Sequence, residues 1–376
     1  MKILFVSMPS VHVIRWIENL KDTSHELFWF DVLDRGRLDT LDSVTQVVNW
    51  KKRKVKYIKG EYFLSKKFPT VYEKVHPYLE VTENEALKRV LLDIKPDVVH
   101  SFEMQGCSYP IFKVMQECSN IKWLYSCWGN DLYYYQQFPI HLKKIKLLLS
   151  RVNYLHTDCK RDFELAKQLG FQGKHVGVIP GGTGYKLQDL EIYKLPLEER
   201  KIILVKGYEH HLGRGLNIIM ALEAIKNQIE NYEVVVFGAH TKVINYINSQ
   251  NLNFTVFDRH GLSHDELLKI MGRSLIYVGN SISDGMPNTL LEAIVMGVFP
   301  IQSNPGGVTG EIIENGKNGF LIQDPNNIKE IQQHIEEALK DNERLRNAQS
   351  INHTISRQLD YFLNQKKVVE LYERFR

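Results

Sequence analysis

Two acids and two cations stand where a chain could grip a charged, hydroxyl-rich ligand. Asp284 and Glu292 lie on either side of a turn-forming stretch, Gly285-Met286-Pro287-Asn288, and Lys206 and Arg214 flank another glycine-containing stretch upstream. A carboxylate held just before a turn accepts hydrogen bonds from sugar-type hydroxyls. A carboxylate near a helix start is favoured by the helix dipole and can accept both hydroxyls of a ribose. Two cations converging on a diphosphate would stabilise the charge that grows as that group departs.

The elements that must position these groups are readable in the apolar pattern. Leu275–Val278 is a short run rich in β-branched and aromatic residues and reads as a buried strand that Gly279 closes. Gly285, Pro287 and Asn288 forbid regular structure until Thr289. Leu290, Leu291, Ala293, Ile294 and Met296 then give a helix ending near Gly297, and 298–302 reads as the next strand. A strand, loop, helix, strand unit places its loop at the carboxyl edge of a parallel sheet, where open α/β folds bind ligands. The amides of Asn288, Thr289, Leu290 and Leu291 are expected to lack helical partners there and to receive a diphosphate. Upstream, Ile202–Val205 reads as a strand and residues 216–226 as a helix, which carries Lys206 and Arg214 to the same edge. Glu233–Gly238 and Phe254–Phe257 are further strands. Ser263 and Glu266 form a capping-box pattern, and Gly238, Leu262 and Ser263 are candidates to border the ligand.

The amino-terminal half has the same grammar. Lys2–Ser7 is a strand whose following loop carries His12 toward a helix start and lacks G-x-G-x-x-G, which suits an acceptor better than a nucleotide. Asp97–Glu103 and Ile121–Asp131 each read as a strand that delivers polar residues at its end. His100, Glu103, Trp128 and Asp131 are thereby candidates at that edge.

The segment Asp284, seven residues, Glu292, with the continuation Ser303–Ile322, resembles the acid, seven residues, acid signature of retaining glycosyltransferases of the GT-B fold, glycosyltransferase family 4-like. The resemblance implies an α/β chain of two facing Rossmann-like domains with parallel sheets and an interdomain cleft. It implies that Asp284 contacts the donor sugar, Glu292 the ribose, and the amides of Gly285, Asn288, Thr289 and Leu290 the diphosphate. Lys206 and Arg214 resemble the family's cation pair, with their order reversed and a longer loop between them. Trp128-Gly129-Asn130-Asp131 resembles the family's His-Gly-x-Asp, with Trp in place of His, and leaves Asp131 and His12 as acceptor or sugar contacts. Asp in place of the first Glu shortens the reach to the sugar. The implied reaction moves a hexose-type sugar from a nucleoside-diphosphate sugar, a UDP-sugar ahead of a GDP-sugar, to a hydroxyl of a glycan or polyprenyl-linked acceptor. Retention of configuration, no cofactor, metal independence and a role in bacterial surface polysaccharide or glycoconjugate synthesis complete the expectation. A sugar-nucleotide epimerase or hydrolase, and a non-catalytic sugar-nucleotide-binding protein, are the alternatives.

Length supports two domains: 376 residues exceed what one core usually serves. The expected division is 1–184 for the acceptor, a linker at 185–199, 200–351 for the nucleotide sugar, and a helix over 352–376 returning to the first domain. Cys107, Cys118, Cys127 and Cys159 lack C-x-x-C spacing, which points to a reduced compartment and no metal cluster. A start without a cationic leader and the lack of a long apolar run argue for a cytoplasmic protein. Net charge is only +4, yet 51–56 and 141–151 are basic and interleaved with aromatic or aliphatic residues. Such surfaces suit the anionic inner face of a cell membrane, and no nucleic-acid-reading module accompanies them.

Overall fold

A computed structural model of the chain describes residues 1–375. It divides into two compact units. The first holds Met1–Thr157, Phe163–Gly177 and the residues from Val368 on, and the second holds Asp158–Asp162 and Val178–Lys367.

The first unit is built on a seven-stranded sheet of order β3-β2-β1-β4-β5-β6-β7. The strands are β1 Lys2–Ser7, β2 Glu26–Asp31, β3 Thr45–Val47, β4 Val98–Phe102, β5 Lys122–Cys127, β6 Tyr154–Thr157 and β7 Lys174–Val178. β1 pairs in parallel with both β2 and β4, with Ile3 opposite Leu27 and Val98. β4 is buried along its whole length, as expected of a strand covered by helices on both faces. The polar residues in this interior are paired with one another. Trp16 Nε1 donates to Tyr372 Oη (2.9 Å), and His100 lies within hydrogen-bond distance of both Tyr372 Oη and Ser126 Oγ. Burial holds His100 well below the usual histidine range, so it is a neutral core residue.

The second unit repeats the plan with six strands, order β10-β9-β8-β11-β12-β13. These are β8 Ile202–Lys206, β9 Glu233–Ala239, β10 Thr255–Asp258, β11 Ser274–Gly279, β12 Phe299–Ser303 and β13 Phe320–Ile322, and every recorded pairing is parallel. Both sheets run outward in two directions from a central pair, β1/β4 in one and β8/β11 in the other. The crevice outside the carboxyl ends of such a pair is where this class of sheet takes ligands. Lys206 and the loop after Gly279 leave from that point. The capping box is present in both halves: Ser263 Oγ accepts from the Glu266 N–H and Glu266 accepts from the Ser263 N–H. The expected linker is partly structured, with Leu187–Leu190 helical and Leu190 buried. No helix among the described residues is long and apolar enough to cross a membrane.

The basic helix Pro139–Arg151 buries Ile145, Leu148 and Leu149, so its main apolar face belongs to the core of the first unit. The 51–68 segment differs. It leads into the helices Glu61–Lys67 and Pro69–Leu79 and leaves Tyr57, Tyr62, Phe63 and Phe68 on the surface.

Candidate functional site

Two loops of the second unit are zipped together at the β8/β11 crevice. Arg214 N–H donates to the Asn280 carbonyl (3.0 Å), Ile282 N–H to that of Leu212 (2.9 Å), and Gly213 and Ser281 form an antiparallel bridge. The first loop also packs against β9. Gly238 has φ +61°, and a Cβ there would lie 2.4 Å from the Tyr208 ring. That close approach explains glycine at the end of β9. Lys206 Nζ lies 4.7 Å from the centroid of the same ring.

Asp284 is half-buried, and burial raises its pKa while Lys206, the Gly285 N–H and Arg161 oppose the rise. Lys206 and Asp284 are therefore brought together. Arg214 is bonded within its own loop. Its guanidinium donates to the carbonyls of His210 (3.3 Å), His211 (3.3 Å) and Gly213 (2.8 Å), and to Asn326 Oδ1 (3.4 Å). Nε and Nη1 of Arg214 are thus taken up by Asn326 and by carbonyls of its own loop.

The second cation beside Asp284 is one that sequence reasoning missed. Arg161 donates to the carbonyls of Asp284 (2.8 Å) and Pro305 (2.7 Å) and pairs with the fully buried Asp162. The amides of Lys160 and Arg161 donate to the Glu311 carboxylate (2.8 Å each), and the Met286 N–H donates to Asp158 Oδ2 (3.2 Å). Residues 158–162 thus fasten both loops that flank Asp284. Asp158, Cys159 and Asp162 each offer a ligand atom within 4.8 Å of the others. Arg161 already supplies a positive charge to that group, and burial followed by Asp162 raises the Asp158 carboxyl well above the usual range. The cluster is centred on the Arg161–Asp162 ion pair.

The helix Asn288–Val295 opens at this crevice with no side-chain cap from Pro287. The amides of Leu290 (3.0 Å) and Leu291 (3.2 Å) both donate to the Pro287 carbonyl, which corrects the expectation that all four leading amides lack partners. The Thr289 N–H has no acceptor among the described residues. By contrast the helix Gly215–Ala224 has its leading end filled, since Glu209 Oε2 accepts the Leu216 N–H (3.0 Å) and its other oxygen meets Lys242 (3.0 Å). The Thr289 N–H is therefore left for an anion at the start of the helix Asn288–Val295. Glu292 is 4% exposed, and its Oε1 accepts from His264 Nε2 at 2.7 Å.

In the first unit the predicted residues gather at the β1/β4 edge. Ser10 caps the helix Val11–Glu18, and the His12 ring meets Trp128 edge-on at 5.8 Å. Asp131 is buried, with Oδ1 accepting from the Trp128 N–H (3.0 Å) and Cys127 Sγ (3.1 Å) and Oδ2 from Tyr125 Oη. Its carboxylate organises the turn after β5 from inside. Glu103 has φ +63° and accepts from the amides of Gln105 and Gly106. Burial and the neighbouring Asp131 push its pKa up to about 7, in the range where an acid or base works at neutral pH.

Residues 188–354 match the family described as Glycosyl transferases group 1. No curated protein sequence matches the chain. Among solved structures, a sucrose-phosphate synthase of Thermosynechococcus elongatus superposes with a TM-score of 0.71 at 15% identity, covering 100% of this chain and 98% of that one. Anabaena Alr3699/HepE in complex with UDP-glucose gives 0.69 at 15% identity with 100% of both chains covered. The lipopolysaccharide outer core galactosyltransferase WaaB, in its apo form, gives 0.68 at 14% identity with 100% and 99% covered. The fold is therefore GT-B, with a Rossmann-like parallel sheet in each unit.

Proposed function

We propose that the chain is a retaining glycosyltransferase that moves a hexose-type sugar from a nucleoside-diphosphate sugar, preferentially a UDP-sugar, to a hydroxyl of a glycan or polyprenyl-linked acceptor. The observation that carries this reading is the grouping of Lys206, Asp284, Glu292 and the Thr289 N–H of a helix start at the β8/β11 crevice. The second unit holds the donor. Glu292 accepts the ribose hydroxyls, Asp284 the sugar hydroxyls, and Lys206 with the amides of Asn288 and Thr289 faces the diphosphate. The Gly285 N–H steadies the Asp284 carboxylate. Gly238 contributes backbone behind Tyr208, and Leu290 contributes to the helix turn. Arg214 acts by holding its loop. The bond from C1 to the phosphate oxygen breaks as a bond from C1 to the acceptor oxygen forms, and the acceptor proton passes to the leaving phosphate on the same face. Lys206 stabilises the charge left on that phosphate. His12 and Glu103 border the acceptor in the first unit, with Asp131 shaping their turn. Likeness to a protein solved with UDP-glucose and to a lipopolysaccharide outer core galactosyltransferase supports the donor class and a surface-polysaccharide acceptor. No step of this reading calls on a metal.

Mass spectrometry with UDP-, GDP- and ADP-sugars, each offered to soluble and lipid-linked acceptors, tests the proposal. Transfer that is lost in Glu292→Ala and Lys206→Ala supports it. Donor turnover without any acceptor, or transfer unaffected by both variants, refutes it.

Attachment to the inner face of the cell membrane belongs to the same proposal. Phe63 and Phe68 are 59% and 52% exposed with ring centroids 6.1 Å apart, and Lys59, Lys66 and Lys67 flank them. Basic residues around exposed aromatic rings suit an anionic interface. The protein should sediment with phosphatidylserine vesicles in a salt-sensitive way, and the double variant Phe63→Ser, Phe68→Ser should stay in the supernatant. Equal sedimentation of variant and parent, or none of the parent, would remove this element.

A further inference from the structure

His264 has no role in the reading above, yet its Nε2 makes the sole hydrogen bond to the Glu292 carboxylate among the described residues. Glu292 is nearly enclosed, whereas the His264 side chain is 43% exposed. A glutamate has three side-chain torsions, and a single oxygen held at 2.7 Å removes most of that freedom. The histidine is itself held. It is the first residue of the helix His264–Arg273, whose capping box fixes the entry of the chain. The next residue, Asp265, accepts from Tyr193 Oη at 2.9 Å and pairs with Lys269 at 2.5 Å. To donate from Nε2 the imidazole must carry its proton there. In that state it completes a rigid arm from one helix start to the carboxylate on another helix.

We propose that His264 is a positioning residue for ribose recognition: by holding Glu292 Oε1 it presents the second carboxylate oxygen to the hydroxyls of the donor's ribose. The inference rests on the assignment of Glu292 to the ribose. It predicts that loss of the His264 bond relaxes discrimination at the 2′-hydroxyl before it affects anything else. A hydroxyl bound to a charged group in an enclosed site is discriminated far more sharply than one bound to a mobile side chain, because the analogue lacking it leaves the acceptor unmatched.

Calorimetric titration of the full-length protein with UDP and with 2′-deoxy-UDP, repeated with GDP and 2′-deoxy-GDP, reads this directly. The parent should prefer the ribonucleotide by roughly tenfold or more. In His264→Ala that preference should fall to about threefold or less, with a matching rise in donor KM and a kcat within about twofold of the parent. His264→Gln places an amide N–H close to the position of Nε2 and should restore most of the preference. Thermal melting of both variants checks folding, and a merely structural role would shift the melt while leaving the ribose preference intact. If His264→Ala keeps the parent's preference while Glu292→Ala loses it, the positioning role is overturned and the donor site stands. If Glu292→Ala also keeps the preference, or the parent shows none, the ribose assignment falls and this inference falls with it.

Discussion

Replacing Glu103 by Gln should change how the stability of the first unit depends on pH. Burial raises the pKa of this carboxyl from 4.5 to about 7, Asp131 adds to the rise, and the amides of Gly106, Gln105 and Cys107 oppose it. The folded state therefore holds a proton between those values while the unfolded chain has released its own. Stability from this source is fully present below the unfolded pKa and is lost as pH rises through the folded one. At about 1.4 kcal/mol per pH unit, the gap is worth about 3 kcal/mol. Glutamine stays neutral throughout but puts a donor where one of the two amide-accepting oxygens was, so the parent should start about 1–3 kcal/mol ahead of Glu103→Gln near pH 4.5 and lose up to about 3 kcal/mol relative to it by pH 8. All five tryptophans, Trp16, Trp29, Trp50, Trp123 and Trp128, lie in the first unit. Urea unfolding followed by tryptophan fluorescence therefore reports this unit alone. If parent and variant run parallel from pH 4.5 to 8, the carboxyl is not held protonated in the fold and the reasoning fails.

Gly238→Ala places a Cβ against the Tyr208 ring in a left-handed backbone conformation. The backbone alone costs about 1–2 kcal/mol, and displacing the ring should move Lys206, giving a lower melting temperature and roughly tenfold higher donor KM in steady-state assays. Arg161→Ala leaves the buried Asp162 without its ion-pair partner, and melting or denaturant curves should show a loss of about 3 kcal/mol or more. Arg161→Lys keeps the charge but cannot span two carbonyls and a carboxylate. Activity should stay depressed by about tenfold, and full recovery would show that charge alone matters. Asp131→Asn removes a buried acceptor shared by three donors. It should cost about 1–3 kcal/mol in the fluorescence-detected unfolding of the first unit, and an unchanged midpoint would contradict its internal role.

The strand framework was legible because each central strand is an apolar run bounded by glycine or polar residues. The run 275–278 is β11 at Ser274–Gly279, and 233–238 is β9 at Glu233–Ala239. Parallel strands buried on both faces leave this signature without needing any distant partner. Helix starts carried local signals too, as at Ser263 and Glu266. Asp284, Glu292 and Lys206 could be placed at the crevice for the same reason, since each sits within a few residues of a strand end or helix start that fixes its position. The commitment of Asp131 to its own turn also has a local cause. It lies three residues after Trp128, whose N–H it accepts, and in that geometry a short carboxylate folds back on its own turn.

What escaped the sequence was how each polar side chain is committed once it arrives. Arg214 and Arg161 carry the same group, and nothing in their neighbours along the chain says which will face Asp284. The difference comes from the carbonyls that the fold brings to each guanidinium. Those of His210, His211 and Gly213 surround Arg214, whereas those of Asp284 and Pro305 meet only at the place that Arg161 reaches from more than a hundred residues away. The same holds for the two helix ends. Glu209 fills one because its loop turns back over the Leu216 amide, and no such residue precedes Asn288. A donor or acceptor is available to a ligand only after the backbone's own demands are met, since a buried backbone group left unpaired costs as much as the bond a ligand would supply. Sequence spacing assigns a side chain to a sheet edge. Whether it is free to do chemistry there depends on the orphaned backbone groups around it, and those are a property of the assembled loops.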